Sequence, residues 1–241
     1  MTTRIFGACR APVLRAAILA LLLAGPAVAQ PVPGLGSVDT RRPVPADRVP
    51  WNAVGEVETT SGNRCTGTLV GPRSIVTAAH CLVTEDAGAL VPAASITFRI
   101  GGRSARGVSL RSGPNFDTRQ EAPWRADWAV VTLDAPLGTG RAMRMGQEPP
   151  REGLALTLPA WQHDRPGELL ADLACRVVVF GTFGSQGVMV GHNCAGTSGS
   201  SGAPLIARGE DGSYVVVGIQ TKAALGRPLG VAVPAFTIPL R

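Results

Sequence analysis

The chain has 241 residues, 45% of them hydrophobic and 17% charged, enough to bury a sizeable core in one or two domains. Its formal charge of +6 falls to +3 once the three arginines of Met1–Ala29 are set aside, too weak a balance to mark a nucleic-acid or anionic-membrane binder. Thirty glycines and twenty prolines exclude a fold of long helices and favour short strands joined by turns.

Met1–Ala29 has the form of a secretory signal. Arg4, Arg10 and Arg15 open it, Ala16–Ala24 is an unbroken apolar run, and Ala27-Val28-Ala29 is a small-x-small cleavage site. The run is shorter than the roughly 20 residues a membrane span needs. Export to the cell exterior or periplasm is therefore expected, with no stable membrane insertion once the signal is removed, and Cys9 leaves with it. Outside the reducing cytoplasm the remaining Cys65, Cys81, Cys175 and Cys194 can pair in three ways. The sequential pairing, Cys65 with Cys81 and Cys175 with Cys194, closes the shortest loops. No C-x-x-C pair supports a zinc site, and no metal or other cofactor is expected.

Residues 30–50 are rich in proline and charge and read as an N-terminal arm or propeptide, extended and poorly suited to core packing. From Trp51 short apolar runs alternate with turn residues. Ala53–Val57, Thr66–Val70, Ser74–Thr77, Ser95–Ile100 and Trp128–Leu133 are predicted strands, with Ser61-Gly62-Asn63, Gly71-Pro72 and Gly101-Gly102 as breaks. Gly138–Gly153 is the best candidate link. Beyond it Leu154–Leu158, Arg176–Phe180, Val188–Val190, Tyr214–Ile219 and Val231–Val233 are again short strands. Two all-β halves of similar size result, residues 51–145 and 146–241, each a barrel or sandwich.

Three places carry chemistry. His80 ends the strand Ser74–Thr77 and stands beside Cys81, so a bridge from Cys81 to Cys65 would pin it. Asp127 immediately precedes the apolar run Trp128–Leu133, which would carry it to a partly buried position, whereas Asp86, Asp117, Asp134, Asp164 and Asp172 lie in loop-like surroundings and read as solvated surface. Gly196–Pro204 sets two serines between glycines, a turn able to hold a hydroxyl and neighbouring N–H groups toward one point. His163 reads as exposed and His192 as structural.

These motifs, T-A-A-H-C, D-W-A-V-V-T-L and G-S-S-G-A-P, resemble the histidine, aspartate and serine motifs of the chymotrypsin-fold (trypsin-like) serine endopeptidases, in that family's order. The resemblance runs from Trp51 to the C-terminus. It implies an all-β fold of two antiparallel six-stranded β-barrels with the active site between them, and peptide-bond hydrolysis through an acyl-enzyme. His80 would be the general base, Asp127 its orienter and Ser201 the nucleophile, with the N–H groups of Gly199 and Ser201 as the oxyanion hole. By the same likeness Ala195 and Gly196 fall at the base of the substrate pocket, Gln220 along its wall and Gly230 opposite. Thr221, Lys222 and Ala223 match the edge that pairs with a substrate backbone.

The departures are informative. The digestive enzymes have aspartate before the nucleophile, to pair with a freed N-terminal amine; here the residue is Ser200, as in the secreted glutamyl-endopeptidase-like (V8-like) branch. Cys65–Val70 also resembles that branch. No acid lies at the pocket base, and Gln220 replaces the histidine of the glutamate-specific relatives, so a neutral or weakly polar preference is expected. A regular C-terminal helix is not expected, because Pro234 and Pro239 interrupt Ala232–Arg241. The expected partner is a polypeptide substrate and the expected state a monomer. Two rivals are a catalytically silent binding protein on the same fold and an esterase using the same site. No histidine follows Ser201 and there is no G-x-S-x-G, which argues against an α/β-hydrolase.

Overall fold

A computed structural model describes residues 1–2, 31–84, 88–118 and 123–240. The signal-like segment and Cys9 lie outside the described residues, and everything below concerns residues 31–240. Among the described residues no α-helix forms, only single 3-10 turns, and no helix is long and apolar enough to cross a membrane.

Strand β1 (Arg42–Pro43) belongs to the N-terminal arm. Six strands then close an antiparallel barrel: β2 (Val54–Thr59), β3 (Arg64–Gly71), β4 (Ser74–Thr77), β5 (Ile96–Ile100), β6 (Arg103–Ser112) and β7 (Ala129–Leu133), in the order β2-β3-β4-β7-β6-β5. Alternation explains the closure, since Val57, Leu69, Ile75, Phe98, Val131 and Leu133 all point inward and are at most 1% exposed. Phe98 fills the centre because Gly55 faces it without a side chain; a Cβ there would lie 2.5 Å from the ring.

The second barrel uses β9 (Ala155–Trp161), β10 (Leu169–Thr182), β11 (Val188–His192), β12 (Pro204–Arg208), β13 (Tyr214–Ala223) and β14 (Gly230–Pro234). Its order is β10-β11-β14-β13-β12-β9, and a direct β9–β10 pairing closes it. Strand β10 is long enough to serve two neighbours, and its register shifts between Asp172 and Cys175 where it bends along β9. Leu156, Leu158, Ala160, Val177, Val190, Leu205 and Ala232 form the core. Two short strands attach to the outside: β1 pairs with β10, and β8 (Arg144–Met145) runs parallel to β13.

Both six-stranded barrels and the all-β class agree with expectation. Three strands were not legible as apolar runs. Strand β6 is polar and largely exposed, β12 opens on Pro204, and the first half of β10 contains Asp172. The chain end carries one 3-10 turn, Ala235–Thr237, and no regular helix. Cys65 is bridged to Cys81 and Cys175 to Cys194, the sequential pairing.

The arm is not loosely laid on the body. Gly34 and Pro50 are buried, and Arg41 is only 4% exposed.

Candidate active site

The first barrel supplies a histidine and an aspartate from adjacent strand ends. Strand β4 pairs with β7 through Thr77 and Ala129, so the chain leaving β4 and the chain entering β7 meet at one end. His80 lies in the 3-10 turn Ala79–Leu82, and Asp127 follows the 3-10 turn Trp124–Ala126. Asp127 is 3% exposed and receives two bonds from His80. The His80 backbone N–H donates to Oδ1 at 2.9 Å, and Nδ1 lies 2.7 Å from Oδ2. A carboxylate only accepts, so Nδ1 carries the proton and Nε2 remains the basic nitrogen. Lys222 Nζ approaches the same Oδ2 at 4.0 Å.

Ser201 comes from the second barrel, on the loop between β11 and β12. His80, Ser198, Gly199 and Ser201 line one cleft of about 420 Å3, with His163 and the Cys65–Cys81 bridge on its rim. Neither Ser201 Oγ nor His80 Nε2 has a hydrogen-bond partner among the described residues.

The loop is a tight turn fixed from several sides. Ser200 N–H donates to Thr197 O at 2.9 Å, and His163 N–H donates to Ser198 O at 2.9 Å. The Gly199 and Ser201 N–H groups have no acceptor among the described residues. Gly199 holds φ +93° with its backbone against Trp161 and His163. Gly202 holds φ +80° where a Cβ would lie 2.1 Å from Thr77 Oγ1 and 2.2 Å from Thr66 O.

Thr66 on β3 joins the barrels behind this turn. Its N–H donates to Ser201 O at 3.0 Å, its hydroxyl donates to Gly199 O at 2.9 Å, and Trp161 N–H donates to that hydroxyl.

With this geometry in place, known proteins can be compared. A protein-family model described as Trypsin matches residues 38–239. The chain belongs to the trypsin family. It is 27% identical to Trypsin zeta of Drosophila erecta over 191 residues, covering 69% of this chain and 65% of that protein. It is 29% identical to Glutamyl endopeptidase of Bacillus licheniformis over 111 residues, 43% of this chain and 33% of that one. The match thus spans less than two thirds of either relative. Among solved structures, a Glu endopeptidase in complex with MPD superposes with a TM-score of 0.63 at 18% identity, covering 83% of this chain and 93% of that chain. The inactive form of Rv3671c protease gives 0.55 at 16%, covering 80% and 91%. The fold of this trypsin-family chain is chymotrypsin-like, with similarity to the glutamyl-endopeptidase branch.

The residues expected at the substrate pocket, Ala195, Gly196, Gln220 and Gly230, are buried in the second barrel, in or beside the loop that carries Ser201. Gln220 and Gly230 meet at His192. Its Nδ1 accepts from Cys194 N–H at 3.2 Å, so Nε2 carries the proton and donates to Gln220 Oε1 at 2.6 Å, while Gln220 Nε2 donates to Lys222 O at 2.9 Å. A Cβ at Gly230 would lie 2.5 Å from the His192 ring, so glycine there makes room for the imidazole. Burial pushes His192 down to about 4, the Gln220 bond opposing it, so the ring is neutral at pH 7. Ala195 N–H donates to Asp172 Oδ2 at 2.8 Å, and Gly196 N–H donates to Gly34 O at 3.1 Å. Thr221 is buried, with Lys222 and Ala223 exposed at the end of β13.

Of the aspartates read as solvated surface, Asp172 is buried, while Asp164 is exposed but tied into the loop. Asp172 is 4% exposed and accepts from Thr40 Oγ1, Ala174 N–H and Ala195 N–H, because β10 turns it inward at the bulge. Asp164 accepts from Arg41 and from Thr197 Oγ1. Arg41, Gln162 and Thr66 were missed as neighbours of the site. The bonds that tie them to the site reach from 35 to 156 residues along the sequence, and no local pattern signals them. His163 is exposed as expected, yet its ring bonds Arg64 O and Ser198 Oγ at the cleft rim. Cys65, His80 and Cys81 bring ligand-type atoms within 4.8 Å of one another, but the two sulfurs are joined in a disulfide and neither is a thiolate donor.

Proposed function

We propose that this chain is a secreted or periplasmic serine endopeptidase acting through an acyl-enzyme, its two barrels corresponding to residues 51–145 and 146–241. The observation that carries the reading is the 2.7 Å contact of His80 Nδ1 with buried Asp127, facing the same cleft as an unbonded Ser201 hydroxyl. Ser201 Oγ attacks the scissile carbonyl carbon and its proton passes to His80 Nε2. The Asp127 carboxylate stabilises the imidazolium without itself taking the proton. Charge on the carbonyl oxygen is met by the N–H groups of Gly199 and Ser201, which need no reorganisation to donate. Collapse of the tetrahedral species expels the amine, which takes the proton from Nε2. Water then attacks the acyl-enzyme, with Nε2 accepting its proton, and the second tetrahedral species collapses to release the acid as Nε2 returns that proton to Ser201 Oγ.

For specificity, Ala195, Gly196, Gln220 and Gly230 shape the pocket, and Thr221, Lys222 and Ala223 offer backbone groups to an extended peptide. Neutral His192 bonded to Gln220 leaves no cation there for glutamate, and Ala195 leaves no acid for arginine or lysine. The preferred residue before the scissile bond is neutral. No cofactor takes part, and the protein acts as a monomer on a polypeptide.

A fluorophosphonate probe should label Ser201 and fail to label Ser201→Ala. Absence of labelling in the native chain would leave the binding-protein reading in place. A peptide-library digest then separates peptidase from esterase, and a profile dominated by glutamate, arginine or lysine would refute the neutral pocket.

A further inference from the structure

We propose that Arg41, supplied by the N-terminal arm, is the positioning residue that locks the nucleophile turn in its donating conformation; this rests on the hydrolase reading above. Arg41 is 4% exposed, and a buried guanidinium is retained only where acceptors surround it. Here they do. Nε donates to Asp39 Oδ1 at 2.9 Å and Nη2 to Asp39 Oδ2 at 2.8 Å. Nη2 also donates to Asp164 Oδ2 at 2.6 Å, and Nη1 to Asp164 Oδ1 at 3.1 Å. The remaining bonds of Nη1 run at 2.7 Å to Gln162 Oε1, just past β9, and at 3.1 Å to Thr197 Oγ1 in the loop that carries Ser201.

Thr197 is the point of transmission. Gln162 Oε1 accepts from Thr197 N–H at 2.6 Å, and Thr197 Oγ1 donates to Asp164 Oδ1 at 2.7 Å. Both ends of the Thr197 residue are thereby fixed by groups that Arg41 itself fixes. Thr197 O in turn holds Ser200 N–H, and that bond closes the turn in which the Gly199 and Ser201 N–H groups have no acceptor among the described residues. Without the guanidinium, Asp39 and Asp164 would face one another uncompensated beside Thr197. The pair's charges agree with this: bonding to Arg41 holds the Asp39 and Asp164 carboxyls below their usual range, and although burial works against the Arg41 charge, the two carboxylates outweigh it.

The position of this cation in the chain has a consequence. Ser200 has no carboxylate to receive an N-terminal ammonium, whereas the arm brings a permanent charge to the same loop by side chain. The arm is further seated by Gly34, whose N–H donates to Ala224 O and whose carbonyl accepts from Gly196 N–H, and by β1 on β10. Arg41 is therefore retained in the active enzyme, whatever is removed upstream.

The test measures peptide hydrolysis, fluorophosphonate labelling rate and circular dichroism for the full chain, Arg41→Met, Arg41→Lys and Thr197→Val, with N-terminal sequencing of the active native protein. Arg41→Met should lower kcat and the labelling rate roughly 100-fold with KM changed far less, because displacing an oxyanion donor by about 1 Å has that effect. Arg41→Lys should recover part of it, keeping the charge without the fork. Should Arg41→Met fail to fold, Thr197→Val decides, since it leaves both Arg41 carboxylate pairs in place; about 10-fold lower kcat is expected. Folded Arg41→Met with native kcat, or native activity in Thr197→Val, would overturn the proposal. So would an active protein beginning after Arg41. A native chain that never labels counts against the hydrolase reading instead.

Discussion

The two barrels hold the proposed catalytic residues by different means. In the first, His80 and Asp127 stand at the paired ends of β4 and β7, and a disulfide from β3 reaches the residue next to the histidine. Strand pairing and a covalent bond do the positioning. In the second, Ser201 lies on a loop outside any strand, with Gly199 and Gly202 at positive φ, and is fixed by Thr66 of the first barrel, by Gln162 and Asp164, and by Arg41 of the arm. The proposed base is built into its own barrel, while the proposed nucleophile turn is built between elements. A turn that must present two N–H groups to a substrate cannot also use them in a sheet, so its anchors come from elsewhere.

Experiments can separate these two modes. The largest effect is expected from Ser201→Ala, with hydrolysis falling roughly 10⁴-fold or more while thermal stability is kept, since the acting group alone is removed. Gly202→Ala comes next. The added Cβ meets Thr77 Oγ1 and Thr66 O at about 2 Å, so the turn lifts from β3 and kcat should fall roughly 100-fold with a native circular dichroism spectrum. Native kcat in Gly202→Ala would show that the contact with the first barrel does not position the nucleophile.

Removing either bridge should cost about 3 kcal/mol in urea unfolding, given loops spanning 16 and 19 residues. Their effects on catalysis should differ. The pair Cys65→Ala/Cys81→Ala loosens His80 and lowers kcat in proportion to its closeness, whereas Cys175→Ala/Cys194→Ala leaves His80 and Asp127 untouched. Equal losses of kcat would break the contrast between the barrels.

His192 makes stability in the second barrel depend on pH. Its ordinary value is 6.5 and burial lowers it to about 4, so between those values the unfolded chain binds more protons than the folded one. Stability is then complete above pH 6.5 and declines as pH falls toward 4, by about 3 kcal/mol for this group. Urea midpoints of the native chain should fall more steeply over that interval than those of His192→Gln, whose amide does not titrate. The smallest change is Thr66→Val, which leaves Gly199 O and Trp161 N–H without their partner. It should cost about 1 to 3 kcal/mol of stability.

Much of this was legible in the sequence, and unevenly so. The short apolar runs of β2, β3, β4 and β7, set between turn residues, gave away the first barrel, because successive side chains on these strands are buried. His80 and Asp127 were placed by the strands that they adjoin. Strand β6 was hidden by its arginines, since a strand with an exposed face need bury only every second side chain. Strand β12 was hidden behind the glycine-rich turn that leads into it.

By itself the sequence determined the chemistry-bearing types, their order along the chain and an all-β class, since each of these rests on neighbouring residues and short-range patterns; it left three cysteine pairings, of which the structure has the sequential one. Only the tertiary structure decided that Arg41 is buried, that Asp172 is a buried acceptor, that the exposed Asp164 accepts from Arg41, and that Thr66 ties the barrels together behind Ser201. Those bonds join residues from 23 to 156 positions apart. Hydrogen bonds of that reach have no local signature, because any exposed-looking aspartate or threonine is an equal prospect until folding brings a donor or an acceptor to it.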